Sequence, residues 1–246
     1  MKFKKNRKYI FWLIGIIFIF FVICLFVEIN SNMNINQIEF EGQNNLSSSM
    51  VSLDVANNIQ LLQKEYNNDD IIGILSIDLV DKFSYPIVQG NDNEYYLEHD
   101  YYKKKDKLGA LYLDYRVDLN KSKKFLIYGH SSVKSDTYFN GLEKYYDEDY
   151  YKEHKYITFE TETNVYKYEI FSVYVETNDF TYMNMNFDSD NDWYLHLLKL
   201  QAKSLYKTGV VLDSDDDILI LQTCSNNSDY QNYSKKYLLV ISRRVL

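Results

Sequence analysis

Two residues in this chain have the side chains and settings for covalent catalysis. Cys224 closes the apolar, strand-like run Ile218-Leu219-Ile220-Leu221-Gln222-Thr223-Cys224. His130 follows another such run, Phe125-Leu126-Ile127-Tyr128, after Gly129. A cysteine attacks carbonyl carbon as its thiolate and needs a base or cation nearby to form or balance that charge. An imidazole 94 residues away can serve if the two strand ends meet at one rim. The only other cysteine, Cys24, lies in an N-terminal apolar segment, so Cys224 has no expected disulfide partner. Spacing alone leaves two readings open, a working thiol and a small core filler beside an exposed histidine.

The other titratable residues point to less. His99 is read as fixing the loop after a helical turn, and His154 and His196 as surface residues. Asp213, Asp215, Asp216 and Asp217 lack the ligand spacing of a calcium-binding EF-hand loop and read as a solvated turn. The tyrosine pairs at 101–102, 145–146 and 150–151 are read as surface and groove packing. No metal or other cofactor is expected. The formal charge of −8 over 246 residues provides no basic surface for nucleic acid.

Short strands must position the candidate pair. β-rich runs bounded by Gly, Asp, Asn or Lys clusters fall at Ile71–Ile77, Tyr85–Val88, Ala110–Leu113, Phe125–Tyr128, Tyr156–Glu160, Val165–Val175, Ile218–Gln222 and Tyr237–Ser242. Thr161-Glu162-Thr163-Asn164 is the expected hairpin connection between the fifth and sixth. Eight such runs in about 170 residues predict a mainly β domain, a closed barrel or a sandwich. Trp193, Leu197, Leu200 and Leu205 mark a helix between Asp188 and Ser204. Val51, Val55, Ile59 and Leu62 give an amphipathic helix over Ser47–Glu65.

The N-terminus has a different composition. Lys2, Lys4, Lys5, Arg7 and Lys8 form a basic tail over residues 1–8, and Ile10 to Val27 carries no charge. About 18 apolar helical residues span roughly 27 Å, near the thickness of a bilayer's hydrocarbon core. No small-residue cleavage pattern follows. The expectation is a single-pass anchor over 9–27 with the N-terminus cytoplasmic, a stalk over 28–46, and an extracellular domain over 47–246.

The words around the candidate residues resemble the class B sortases, membrane-anchored cysteine transpeptidases of Gram-positive bacteria. The matching segments are Tyr85-Pro86-Ile87-Val88-Gln89-Gly90, Asn93-Glu94-Tyr95-Tyr96-Leu97 with His99-Asp100, and Leu126-Ile127-Tyr128-Gly129-His130. Tyr138-Phe139-Asn140-Gly141-Leu142 and Leu221-Gln222-Thr223-Cys224 continue the series, so the likeness runs from about Ile71 to the C-terminus. The resemblance implies a closed eight-stranded barrel with an N-terminal helix and a helix between strands six and seven. It also implies that Cys224 attacks the carbonyl of a threonine in a C-terminal sorting signal, forming a thioester. His130 then protonates the leaving amine and activates an incoming amine of the cell-wall peptide. The implied partners are secreted proteins bearing that signal, the cell-wall amine, and the membrane through the N-terminal helix. The family's third residue is an arginine at the start of the last strand. By position Lys236 stands there, while Arg243 and Arg244 lie at the strand's far end. Lysine supplies a point charge without arginine's planar fork, so a sortase-like binding module with weak or no activity is the alternative implied.

Overall fold

The computed structural model describes residues 56–78, 83–132, 134 and 138–245. The chain divides into units 1–51 and 52–246, and every described residue belongs to the second. The basic tail, the expected anchor over 9–27, the stalk and the first part of the amphipathic helix lie outside the described residues. Among the described residues no helix is long and apolar enough to cross a membrane. That finding stands against the expected single-pass placement and the expected membrane contact through the N-terminal helix.

The described domain is a closed barrel of eight strands. They are β1 (Ile71–Ile77), β2 (Ser84–Val88), β3 (Tyr112–Leu113), β4 (Lys124–Tyr128), β5 (Tyr156–Thr161), β6 (Val165–Glu176), β7 (Ile218–Cys224) and β8 (Tyr237–Arg244). The order around the barrel is β1-β2-β3-β4-β7-β8-β6-β5. Only β2 with β3 and β4 with β7 run parallel. The β5–β6 hairpin closes through the expected residues, with Thr161 N–H donating to Asn164 O at 2.8 Å.

Strand alternation sorts side chains onto two faces. Phe125 and Ile127 of β4, Leu219 and Leu221 of β7, and Leu238 and Val240 of β8 fill the barrel interior with Phe139 and Phe159. Leu126 and Tyr128, Ile218 and Ile220, and Leu239 and Ile241 form the outer face. Because that face is also covered, β4 and β7 read as nearly continuous apolar runs rather than alternating ones.

Helix α1 (residues 56–66) and helix α3 (Asp190–Ala202) supply the cover, through Ile59 and through Trp193, Leu197 and Leu200. Ser189 caps α3, accepting from Asp192 N–H. His196 belongs to the same stripe, three residues after Trp193, and is 7% exposed rather than on the surface as expected. A short helix α2 (Glu148–Glu153) and the 3-10 segment Tyr138–Tyr146 lie between β4 and β5. Tyr101, Tyr145 and Tyr151 are core residues rather than surface ones.

Candidate active site

The parallel pairing of β4 with β7 decides where the two chemical residues sit. Its register is Lys124 with Ile218, Phe125 with Leu219, and so on to Tyr128 with Gln222, a constant offset of 94 residues. His130 and Cys224 share that offset. Continuing the register by two residues carries both to the same rim of the barrel. Alternation gives both the parity of the outer-face residues Tyr128 and Gln222, so both open on one side of the barrel. They line a single cleft of about 380 Å³ with Leu97, Met183, Tyr128 and Tyr237. Larger cavities, of about 530 and 490 Å³, lie along α3 and hold neither residue.

The local contacts orient the histidine and set the surroundings of the thiol. His130 Nε2 lies 2.9 Å from Leu97 O. A carbonyl only accepts, so Nε2 carries a hydrogen, and Nδ1 is the nitrogen left to exchange a proton. Cys224 is the free thiol of the described residues and is exposed at the cleft. The protein around it nonetheless desolvates the sulfur, which pushes the thiol above its ordinary range. The positive charge of Lys236 opposes that rise. At neutral pH the protonated thiol therefore predominates, and attack must be coupled to proton removal.

Lys236 enters by chain geometry. Tyr237 pairs with Cys224 across β7 and β8, and Lys236 is the residue before it. Its carbonyl accepts from Ser225 N–H at 2.9 Å, tying it to the residue after the cysteine. Arg243 pairs with Ile218, at the other end of β7. Six residues of strand put it roughly 20 Å from Cys224. Arg243 is engaged with Glu169 and Asp216, and Arg244 with Asp217. Neither reaches the cleft.

Two buried polar groups, one beside the cleft and one at the far end of β4, escaped the sequence reading. Asp114, fully buried, accepts from Arg116 Nε at 2.8 Å and Nη2 at 2.7 Å, and from Arg116 N–H at 3.0 Å. It also takes Tyr128 OH at 2.7 Å and Asn93 Nδ2 at 3.0 Å, two residues that line the cleft. Burial alone would raise this carboxyl, but the hydrogen bonds and the charge of Arg116 hold it below the usual range. Lys124 begins β4 and is 2% exposed. Its Nζ donates to Asn184 O at 2.8 Å and lies 3.3 Å from His196 Nε2. Burial, then the charge of Arg116, lowers Lys124 to about 7, while burial and Lys124 lower His196 to about 3. Lys124 pairs with Ile218 at the end of β4 away from the cleft, and it lines the cavity of about 530 Å³ along α3. Aspartate before an arginine and lysine opening an apolar run carry no pattern that marks burial.

The remaining candidates fall elsewhere. His99 Nδ1 meets Tyr95 O at 2.7 Å and its ring stacks on Tyr95, as a loop-fixing residue should. His154 packs on Tyr150, away from the cleft. Asp213 N–H donates to Asp216 Oδ2 at 2.7 Å in a closed turn.

With this geometry, comparison with known proteins is direct. The family model described as Sortase domain matches residues 75–244. The chain belongs to the sortase family. It is 35% identical over 187 residues to Sortase B of Listeria monocytogenes, covering 75% of this chain and 74% of that one. To Sortase B of Staphylococcus aureus it is 30% identical over 174 residues, 70% of each chain. The crystal structure of Clostridium perfringens sortase B is similar with a TM-score of 0.67 and 28% identity, over 76% of this chain and 99% of that one. These relatives place this sortase in class B, in keeping with α3 between β6 and β7.

Proposed function

We propose that this sortase is a cysteine transpeptidase acting on proteins that carry a C-terminal sorting signal. In this reading Cys224 attacks the carbonyl of the signal's threonine. The S–C bond forms as the C–N bond breaks, and the thiol proton passes through His130 to the departing amine. The resulting thioester is opened by a cell-wall peptide amine, whose surplus proton returns through His130. The amide bond re-forms and the thiol is restored. Splitting one amide exchange into two thioester steps is the usual gain of covalent catalysis. Lys236 supplies the positive charge near the sulfur and the oxyanion.

One observation carries the reading: the parallel register that sets His130 against Cys224 in one cleft. A raised thiol supports it as well, since a protonated nucleophile needs a neighbouring base. Incubating the full chain with a panel of sorting-signal pentapeptides, read by mass spectrometry, is the test. A thioester adduct on Cys224 that an added amine discharges is expected, and Cys224→Ala abolishes it while the fold survives. Undiminished turnover by Cys224→Ala would sink the assignment.

A second reading is favoured by the absence of any arginine among the described residues lining the cleft. It makes the chain a sorting-signal binder with little turnover. Lys236→Arg separates the two, because a large gain in rate would mark the native site as impaired.

A further inference from the structure

The ladder that aligns the reacting pair ends before it reaches them. Gly129 N–H donates to Gln222 O at 3.1 Å, and no later backbone bond joins the two segments among the described residues. What continues the alignment is a set of side chains. Asn226 Nδ2, two residues past Cys224, donates to Ser131 Oγ, one residue past His130, at 2.8 Å. Ser131 Oγ in turn donates to Asn140 Oδ1 at 3.2 Å, and the same oxygen takes Ser132 N–H at 2.8 Å. On the cysteine side, Asn226 N–H donates to Glu143 Oε1 at 2.9 Å, and Ser225 Oγ lies 2.6 Å from Tyr146 OH. Asn140, Glu143 and Tyr146 all belong to the 3-10 segment Tyr138–Tyr146. The residues just beyond each member of the pair are thus bound to each other and to one common support.

We propose that Ser131 and Asn226 form a clasp that sets the separation of His130 and Cys224, and that both are positioning residues for acyl transfer. The proposal rests on reading those two as the reacting pair. Its physical basis is the end of the ladder. Past Gly129 no backbone hydrogen bond runs directly between the two segments among the described residues: His130 O accepts from Phe139 N–H at 3.3 Å and Cys224 stays in the β8 ladder, so each is held to a neighbour and not to the other. Reactive geometry tolerates little slack, an ångström costing up to about a hundredfold in rate. Ser131 is 9% exposed, so its hydroxyl has few waters to replace the lost partner. Neither Ser131 nor Asn226 is among the residues lining the cleft, so loss of the clasp should move the chemistry more than the binding.

The test is a double-mutant cycle on the full chain, assayed with a turned-over sorting peptide from the panel above. Ser131→Ala and Asn226→Ala are each expected to lower kcat about tenfold, with KM within about twofold of wild type. The double variant should lose about tenfold as well, not a hundredfold, because either change removes the same bond. Ser131→Thr, which keeps the hydroxyl, and Asn226→Gln, which keeps the amide donor, should stay within about threefold of wild type. Asn226 is exposed, so its variants are expected to fold; should Ser131→Ala unfold, the contrast of Asn226→Ala with Asn226→Gln decides. Losses that multiply, losses carried by KM, or an Asn226→Ala variant within twofold of wild type would each overturn the clasp. A wild type that forms no acyl-enzyme with any peptide overturns the underlying reading instead, and the clasp with it.

Discussion

Replacing Asp114 by asparagine should damage both the stability of the barrel and the shape of the cleft. Oδ1 accepts from the Arg116 backbone and Nε, and Oδ2 from Arg116 Nη2, Tyr128 OH and Asn93 Nδ2. An amide in this place keeps one acceptor oxygen but turns an NH2 toward donors. If the oxygen stays with Arg116 Nε, the amide faces Arg116 Nη2 and Asn93 Nδ2, and only the Tyr128 hydroxyl can reverse and accept. The guanidinium also loses its buried counter-charge, although Arg116 is 35% exposed and water relieves part of that cost. Breaking one partner of a buried pair costs about 3–5 kcal/mol. A domain of this size loses about 2–4 °C per kcal/mol, so the midpoint should fall by roughly 6–20 °C.

Acid sensitivity gives a second reading of the same change. The folded carboxyl lies below its unfolded value, so its contribution is present above the unfolded pKa near 4 and is lost as pH falls through the folded one. The stability gap between wild type and Asp114→Asn should therefore be constant near neutrality and close only below about pH 4. Because Tyr128 and Asn93 line the cleft, KM for a sorting peptide should rise as well. Thermal unfolding followed by circular dichroism from pH 2 to 8 measures the first two effects. A midpoint within 2 °C of wild type at neutral pH would refute the account of Asp114 as the cleft's buried anchor.

Three further outcomes follow from the same contacts. Lys236→Gln removes the charge that opposes the rise of the Cys224 thiol, so iodoacetamide should alkylate Cys224 roughly two- to fivefold more slowly at fixed pH; an unchanged rate places the lysine's charge elsewhere. Lys124→Met removes a buried amine lowered to about 7, which the unfolded chain binds protons to near 10. Wild type should therefore gain stability relative to this variant from pH 7 to 10, by at most about 1.4 kcal/mol per pH unit, and parallel denaturation curves would exclude it. Gly129→Ala drives a methyl into Leu111 and to 2.7 Å from Phe139 inside the barrel, beside His130. A loss of about 1–3 kcal/mol in urea unfolding is expected, with a fall in kcat; a variant as stable and active as wild type would show that the strand end yields freely.

All eight strands were legible because each is a short apolar run between polar clusters, and the barrel follows once both faces of β4 and β7 are known to be covered. What the sequence hid depends on partners far away along the chain. His196 was read as a surface residue, yet it lies three residues after Trp193, on the stripe that buries Leu197 and Leu200. A polar residue on an apolar stripe has to be read by its position. Asp114 and Lys124 gave no such cue, since their burial is tolerable only because Arg116, Tyr128 and Asn184 arrive from other segments. The N-terminal readings over 1–55 fall outside the described residues and add nothing to the site.

The separation of 94 residues between His130 and Cys224 has no meaning in the sequence alone, because any two strand ends have some separation. It becomes informative only when β4 and β7 are adjacent, parallel and in a register of the same offset. Parallel pairing matters here. Had the strands been antiparallel, a residue past the end of β4 would face the start of β7, and the thiol would sit at the opposite rim. A parallel pair instead carries both strand ends to one rim, where each side chain leaves the ladder on the same face. That arrangement also explains why the site needs support from outside the barrel. The residues that must be closest lie just past the point where β4 and β7 stop holding each other, so their spacing falls to Ser131, Asn226 and the segment Tyr138–Tyr146.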